Sequence, residues 1–293
     1  MEAFFLAAAQ GSRFCVHHVP REPQGAHATP GHDRPAAPHS TARGLGLVAL
    51  PAFAEEMNKS RHVVAQAARA LAAGGAGVLT IDLLGCGDSS GSLADATWDD
   101  WLADARLALD WMRAQGYGPL WLWGTRVGAL LAAEVAQQPD AGVAGCLFWQ
   151  PVTSGETALV QFLRLRAAGA MIAGKPPQGE SVRDLRSRLA AGETIDIAGY
   201  PLPPALAGRL AATELAALRP ACKVQWIEIV ADAGRGPGAG STQVIAAWQA
   251  QGLQVGTELL AAEPFWAATN AAELVQCPAI VSATAAGLHS WLG

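Results

Sequence analysis

Residues 119–132, PLWLWGTRVGALLA, constrain the fold more than any other stretch of the chain. A short apolar run rich in tryptophan and leucine ends at Gly124, three residues intervene, and Gly128 opens an alanine- and leucine-rich run. The first part is a buried strand and the second a buried helix. Glycines at both ends of the join permit a sharp strand-to-helix turn, because neither carries a Cβ to obstruct it. A strand feeding directly into a helix is one half of a crossover, the unit from which parallel sheets are built.

The rest of the chain repeats that unit. Strands are predicted at 3–9 and 13–19, joined as a hairpin through Gln10-Gly11-Ser12, and further strands at 45–53, 77–85, 119–124, 142–151, 223–231 and 253–261. Helices fall between them at 60–75, 97–116, 127–138 and 241–252. The helix from Thr97 has an N-cap residue, acidic residues in its first turn and Gly116 at its end, so cap, dipole and periodicity agree. Residues 20–44 are rich in Pro, Gly and Ala with little to bury, and read as a flexible loop. A strand-like stretch recurs at 278–283. Residues 152–222 break the alternation with helical, Arg/Ala/Leu-rich segments. The expected architecture is therefore α/β: a mostly parallel central sheet with helices on both faces, formed by 1–151 and 223–293, and a helical cap insertion at 152–222 over the sheet's carboxyl edge.

The 293 residues are 51% hydrophobic and 15% charged with a net charge of −5, and they carry no basic stripe. That profile excludes a nucleic-acid binder. No apolar run reaches membrane-spanning length, and the N-terminus has Glu2 in place of a basic leader region. The five cysteines are scattered without paired spacing, which predicts a reducing, cytoplasmic setting with no zinc site. No cofactor is expected. The expected partner is a small molecule, with a homodimer left open.

Gly124-Thr125-Arg126-Val127-Gly128 has the frame of the G-x-S-x-G nucleophile elbow of α/β-hydrolases, with arginine where the serine belongs. Asp82, Gly85, Gly87, Ser89 and Gly91 match a D-x-x-G-x-G-x-S-x-G stretch common after the preceding strand of that fold, and Gly124 follows Gly91 by 33 positions. Arginine is no nucleophile, since its guanidinium stays protonated. The histidine expected after the last strand is also missing: 262–270 reads AEPFWAATN, and the late His289 lies near the C-terminus. Glu228 and Asp232 are available as the acid. Losing serine and histidine together argues against Ser-His-Asp hydrolysis. Thr125, Ser89 and Ser154 are the hydroxyls left as unconventional nucleophiles.

Arg126 at a helix N-terminus opposes the helix dipole and calls for an acid or an anionic ligand. Glu55, Glu56 and Glu263 are the candidate partners. The arginine then either bridges to an acid and closes a dead site, or clamps a carboxylate, phosphate or acidic sugar. Glu55, Glu56, Asn58 and Lys59 form a polar cluster at a predicted pocket rim; alternatively they are a solvated helix start capped by Asn58 or Ser60. Gln150 ends the neighbouring strand. Trp123, Trp149, Trp226 and Trp266 lie in or just after strands, where indoles stack on planar ligands or pack beneath the cap.

The stretches LPAFAEEMNKSR, IDLLGCGDSSG, LWLWGTRVGALLA, FWQPVTSGETALVQFLRLR and LAAGETIDIAGYPLPPALA together resemble the exosortase-A-system-associated hydrolases of the second kind. The resemblance spans roughly 45–265. It implies an α/β-hydrolase-like protein of bacteria that make exopolysaccharide and sort PEP-CTERM proteins, with arginine at the elbow as a family trait. The reading is a nominal hydrolase lacking its nucleophile, binding a small acidic or acylated saccharide-type ligand through Arg126, Glu55, Glu56, Asn58, Lys59, Trp123, Gln150 and Glu263. The alternatives are a non-catalytic binding or scaffold protein, a pseudoenzyme, and an esterase-type hydrolase with an unconventional nucleophile.

Overall fold

A computed structural model describes residues 1–21, 43–172, 181–267 and 275–291. The loop expected at 20–44 falls almost wholly outside the described residues.

The chain begins with a hairpin, β1 (Glu2–Ala7) and β2 (Ser12–His18). Then come β3 (Gly46–Leu50), α1 (Glu55–Ala73), β4 (Gly77–Ile81), α2 (Trp98–Ala114), β5 (Leu120–Thr125), α3 (Gly128–Ala136) and β6 (Gly145–Trp149). Between β6 and the next strand of the central sheet lie α4 (Gly155–Ile172), α5 (Val182–Ala190), the short hairpin β7 (Ile195–Ile197) and β8 (Tyr200–Leu202), and α6 (Pro204–Ala211). The chain returns through β9 (Lys223–Val230), α7 (Ala239–Ala250), β10 (Val255–Ala261) and α8 (Pro278–Trp291).

Eight strands form one sheet in the order β1-β2-β4-β3-β5-β6-β9-β10. Only β2 runs against its neighbours β1 and β4; every other pairing is parallel. The mostly parallel sheet with helices on both faces is therefore present as expected. On one face α1 and α8 cover Leu47, Trp121, Trp123 and Trp149. On the other, α2, α3 and α7 join the segment after β6 over Val48, Leu122, Phe148 and Trp226. Every residue of α3 is buried, which explains why its sequence is apolar all round apart from Glu134, whose carboxylate pairs with Arg209 and accepts from Trp98. Among the described residues no helix is long and apolar enough to cross a membrane.

The structure corrects three local expectations. First, α1 starts at Glu55 and neither Asn58 nor Ser60 caps it; the cap position is Ala54, which makes no side-chain bond. Glu55 and Glu56 occupy the first turn instead, where the positive end of the helix favours carboxylates. Second, 278–283 is the start of helix α8 rather than a strand; a short apolar run does not distinguish the two. Third, the segment after β6 holds a hairpin as well as helices. Its turn takes Ala198 and Gly199 to φ 54° and 89°, a primed turn made without the Asn-Gly signal that marks such turns in sequence.

Candidate functional site

The turn after β5 sets the site. Arg126 has φ 56°, left-handed backbone that strains any residue with a Cβ. Backbone bonds hold it there: Arg126 N donates to Trp149 O (3.0 Å), and Ala129 N and Val152 N donate to Arg126 O (3.1 and 3.2 Å). Both flanking glycines are required by contact. A Cβ on Gly128 would stand 2.5 Å from the carbonyl oxygens of Leu50 and Pro51, and one on Gly124 would run into the Ala129 backbone. The elbow geometry is thus intact, with arginine at its apex.

The Arg126 side chain closes on Glu56. Nη2 lies 3.0 Å from Glu56 Oε1, Nε contacts both carboxylate oxygens at 3.2–3.3 Å, and Nη1 donates to Gln150 O at 3.3 Å. Trp266 stacks over the guanidinium, 5.0 Å from ring centroid to carbon. With side-chain exposures of 13% for Arg126 and 22% for Glu56, the pair is largely withdrawn from solvent. Of the three candidate acids, Glu56 is the partner; Glu263 is exposed and stands outside the cavity lining.

A cavity of about 470 Å³ opens beside this pair. Phe53, Glu55, Glu56 and Lys59 line it from α1 and the turn before it, Arg126 and Val127 from the elbow, and Trp266 from beyond β10. Ala158, Gln161, Phe162 and Leu165 of α4 form the facing wall. These four were not singled out from the sequence, yet their i, i+3, i+4, i+7 spacing is the signal of one helix face. One carboxylate oxygen of Glu55 is buried without a hydrogen-bond partner among the described residues. Burial raises the pKa of Glu55 and neighbouring Glu56 adds to the rise, against its own backbone N–H and Lys59.

The remaining candidates take other places. Asn58 donates to the Tyr200 hydroxyl (2.9 Å), tying α1 to β8 outside the cavity lining. Trp123 is fully buried against Trp149, edge to face at 4.5 Å, on the α1/α8 face of the sheet; it belongs to the core and stands outside the cavity lining. Trp149 and Trp226 are likewise in the core, bonded to Thr284 and Glu228. Gln150 reaches Arg126 through its carbonyl, while its side chain accepts from Ile229 N (2.7 Å).

Of the three hydroxyls considered as nucleophiles, Ser89 and Ser154 hold structural contacts and Thr125 is buried in β5. Ser89 donates to Asp82 O (2.6 Å) and accepts from Phe14 N (2.8 Å), bracing the turn after β4 against β2. Ser154 donates to Glu214 (2.7 Å) and accepts from Thr157 N (3.3 Å) at the start of α4. Glu228 accepts from Trp226 Nε1 and Gly238 N, and Asp232 caps the turn at Gly234. Among the described residues no histidine lines the cavity; the side chain of His289 lies outside them. In the D-x-x-G-x-G-x-S-x-G stretch, Asp82 accepts from Arg61 (3.0 Å) and Asp88 N (3.1 Å), and a Cβ on Gly87 would strike that carboxylate. The motif holds a turn.

Similarity to known proteins agrees with this architecture. A family model described as serine aminopeptidase, S33, matches residues 48–189, which is 142 of the 293 residues. No curated protein matches the sequence. Among solved structures, Est1E of Butyrivibrio proteoclasticus with bound ferulic acid shares 12% identity over 99% of both chains, with a TM-score of 0.66. Proline iminopeptidase of Mycobacterium smegmatis shares 14% over 99% of both, at 0.58. A thermostable carboxyl esterase of Bacillus coagulans shares 13% over 88% of this chain and 89% of its own, at 0.55. The sheet order, the intact elbow and these likenesses give the chain the α/β-hydrolase fold.

Proposed function

We propose that the chain binds a small anionic or acylated saccharide-type ligand in the cavity beside Arg126 and does so without Ser-His-Asp hydrolysis. One observation carries this reading: the elbow apex that would hold a nucleophile holds a guanidinium, paired with Glu56 beneath Trp266. An anion entering the cavity exchanges with the Glu56 carboxylate for the guanidinium, and the apolar walls of Phe53, Phe162 and Leu165 suit an acyl chain or sugar face. The segment at 152–222 acts as the cap, with α4 as the wall nearest the ligand. The resemblance to the exosortase-associated proteins assigns this role to exopolysaccharide or PEP-CTERM export, on the cytoplasmic side.

The reading predicts that glucuronate or inorganic phosphate raises the Tm of the protein, that Arg126→Ala abolishes the shift, and that Glu56→Gln tightens anion binding about tenfold by freeing the guanidinium, since charge-assisted pairs are worth one to a few kcal/mol. If no anion shifts the wild type or Glu56→Gln, the clamp is wrong. A fluorophosphonate probe and a panel of short-chain esters are expected to be silent on both wild type and Arg126→Ser, because the variant still lacks a histidine base; turnover by the wild type overturns the non-hydrolytic reading. Loss of exopolysaccharide in a deletion strain, restored by wild type and not by Arg126→Ala, tests the system assignment.

A catalytic reading has one observation in its favour, the buried and unpartnered oxygen of Glu55 with its raised pKa. It makes Glu55 a general base. Ester turnover that disappears in Glu55→Gln while Arg126→Ala retains it selects this reading.

A further inference from the structure

The sulfur atoms of Cys146 and Cys222 lie 3.7 Å apart, on parts of the chain that the ligand cavity does not use. Cys146 sits inside β6 and is fully buried, whereas Cys222, the residue before β9, is half-buried. The two strands are parallel neighbours with Cys146 opposite Val224, so the sheet itself fixes the approach of the two thiols. Between them, 147–221 contains α4, α5, the β7–β8 hairpin and α6. The pair therefore stands at the amino ends of the two strands, where that segment returns to the sheet.

We propose that Cys146 and Cys222 form a reversible disulfide under peroxide, stapling the end of the cavity-lining segment, where it returns to the sheet at β9, to the start of β6. The bond requires the separation to fall from 3.7 Å to about 2.05 Å, within reach of side-chain rotation at the less confined Cys222. The exposures set the order of events. Cys222 meets the oxidant: its sulfur gives up its proton and attacks one peroxide oxygen, the O–O bond breaks, and the departing hydroxide takes that proton, leaving a sulfenic acid and water. The Cys146 sulfur then displaces the hydroxyl from the Cys222 sulfur, its proton leaves with that hydroxyl as a second water, and the S–S bond forms. Peroxide is reduced and the two thiols are oxidised. Burial and the neighbouring sulfur push the Cys146 thiol pKa well up, so Cys146 is not the thiol that peroxide oxidises first. Dithiothreitol reverses the bond by thiol–disulfide exchange.

The staple is tested on the full chain with a modest excess of hydrogen peroxide, non-reducing digestion and mass spectrometry. The expected product is a cross-linked peptide pair containing Cys146 and Cys222 with two hydrogens lost, removed by dithiothreitol and absent from Cys222→Ser. Oxidation is expected to raise the wild-type Tm by about 5 °C, because the bond closes a long loop, and to leave the Tm of Cys222→Ser unchanged. In Cys146→Ala the sulfenic acid persists and dimedone labels Cys222. Recovery of both cysteines as free thiols after oxidation, or of Cys222 as a sulfinic acid without the cross-link, overturns the proposal.

Discussion

Arg126 combines a backbone conformation and an electrostatic setting that an isolated arginine would avoid. Its φ of 56° costs about 1 kcal/mol relative to glycine, and it stands at the positive end of α3. Glu56 is placed the other way, in the first turn of α1, where the dipole favours it. The two halves of the pair are therefore unequal. Glu56→Ala strands a largely buried guanidinium and is expected to destabilise the fold by roughly 2–3 kcal/mol. Arg126→Gly relieves the backbone strain and leaves a carboxylate that the helix end and water can satisfy, so its effect is expected to be within about 1 kcal/mol. Urea unfolding of the two variants measures the difference, and equal losses would contradict the asymmetry.

At the scale of elements, caps and close approaches decide stability. Thr97 and Asp100 form a reciprocal capping box at the start of α2, with Asp100 N donating to Thr97 Oγ1 (3.1 Å) and Thr97 N to Asp100 Oδ2 (3.0 Å). Thr97→Ala is expected to lower stability by about 1 kcal/mol, read as a shifted urea midpoint with unchanged slope. Gly155 lets the first turn of α4 meet the end of α6: a Cβ there would run into Leu210 O and stand 2.9 Å from Thr213 O. Backbone cannot yield as a side chain does, so Gly155→Ala is expected to cost about 3 kcal/mol. It is also expected to weaken ligand-induced Tm shifts, because α4 carries one wall of the cavity. A near-neutral Gly155→Ala would show that α4 and α6 are not rigidly apposed.

For the whole molecule, β2 carries two buried histidines that make folding sensitive to acid. His17 shares a hydrogen bond with the Tyr117 hydroxyl (3.0 Å). Burial first, then Arg69, the N-terminal amine and His17, together lower the pKa of His18 from 6.5 to about 4. Burial also lowers that of His17, opposed by Glu2. The unfolded chain takes up these protons at a higher pH than the folded one, so the stabilisation is complete above the unfolded value of 6.5 and is lost as pH falls toward about 4. His18 contributes roughly 2–3 kcal/mol to that loss. Urea midpoints measured across the window are expected to decline in the wild type and to decline less in His18→Gln; identical pH slopes would remove His18 from the account.

Much of the fold was legible because it rests on local rules. Strand–helix alternation, the glycine-flanked elbow and the Thr97 cap depend on residues near one another in sequence, and periodicity and steric freedom express them directly. The late strand assigned at 278–283 failed for the same reason in reverse: its apolar residues suit either element until α8 finds its packing partner in α1. At the site, Arg126, Glu56 and Lys59 were readable as a charged group, but which acid closes on the arginine was not. Glu55, Glu56 and Glu263 are chemically alike, and only the approach of α1 to the elbow selects Glu56. Trp123 and Trp266 are also alike in sequence; β5 puts the first in the core and the turn beyond β10 puts the second over the guanidinium. The sequence by itself determined the α/β architecture and the arginine at its elbow, since both follow from residue type and short-range spacing. The tertiary structure alone decided the Arg126–Glu56 pair, the α4 wall and the meeting of Cys146 with Cys222, because each joins residues whose neighbours are set by strand order and helix packing rather than by the chain between them.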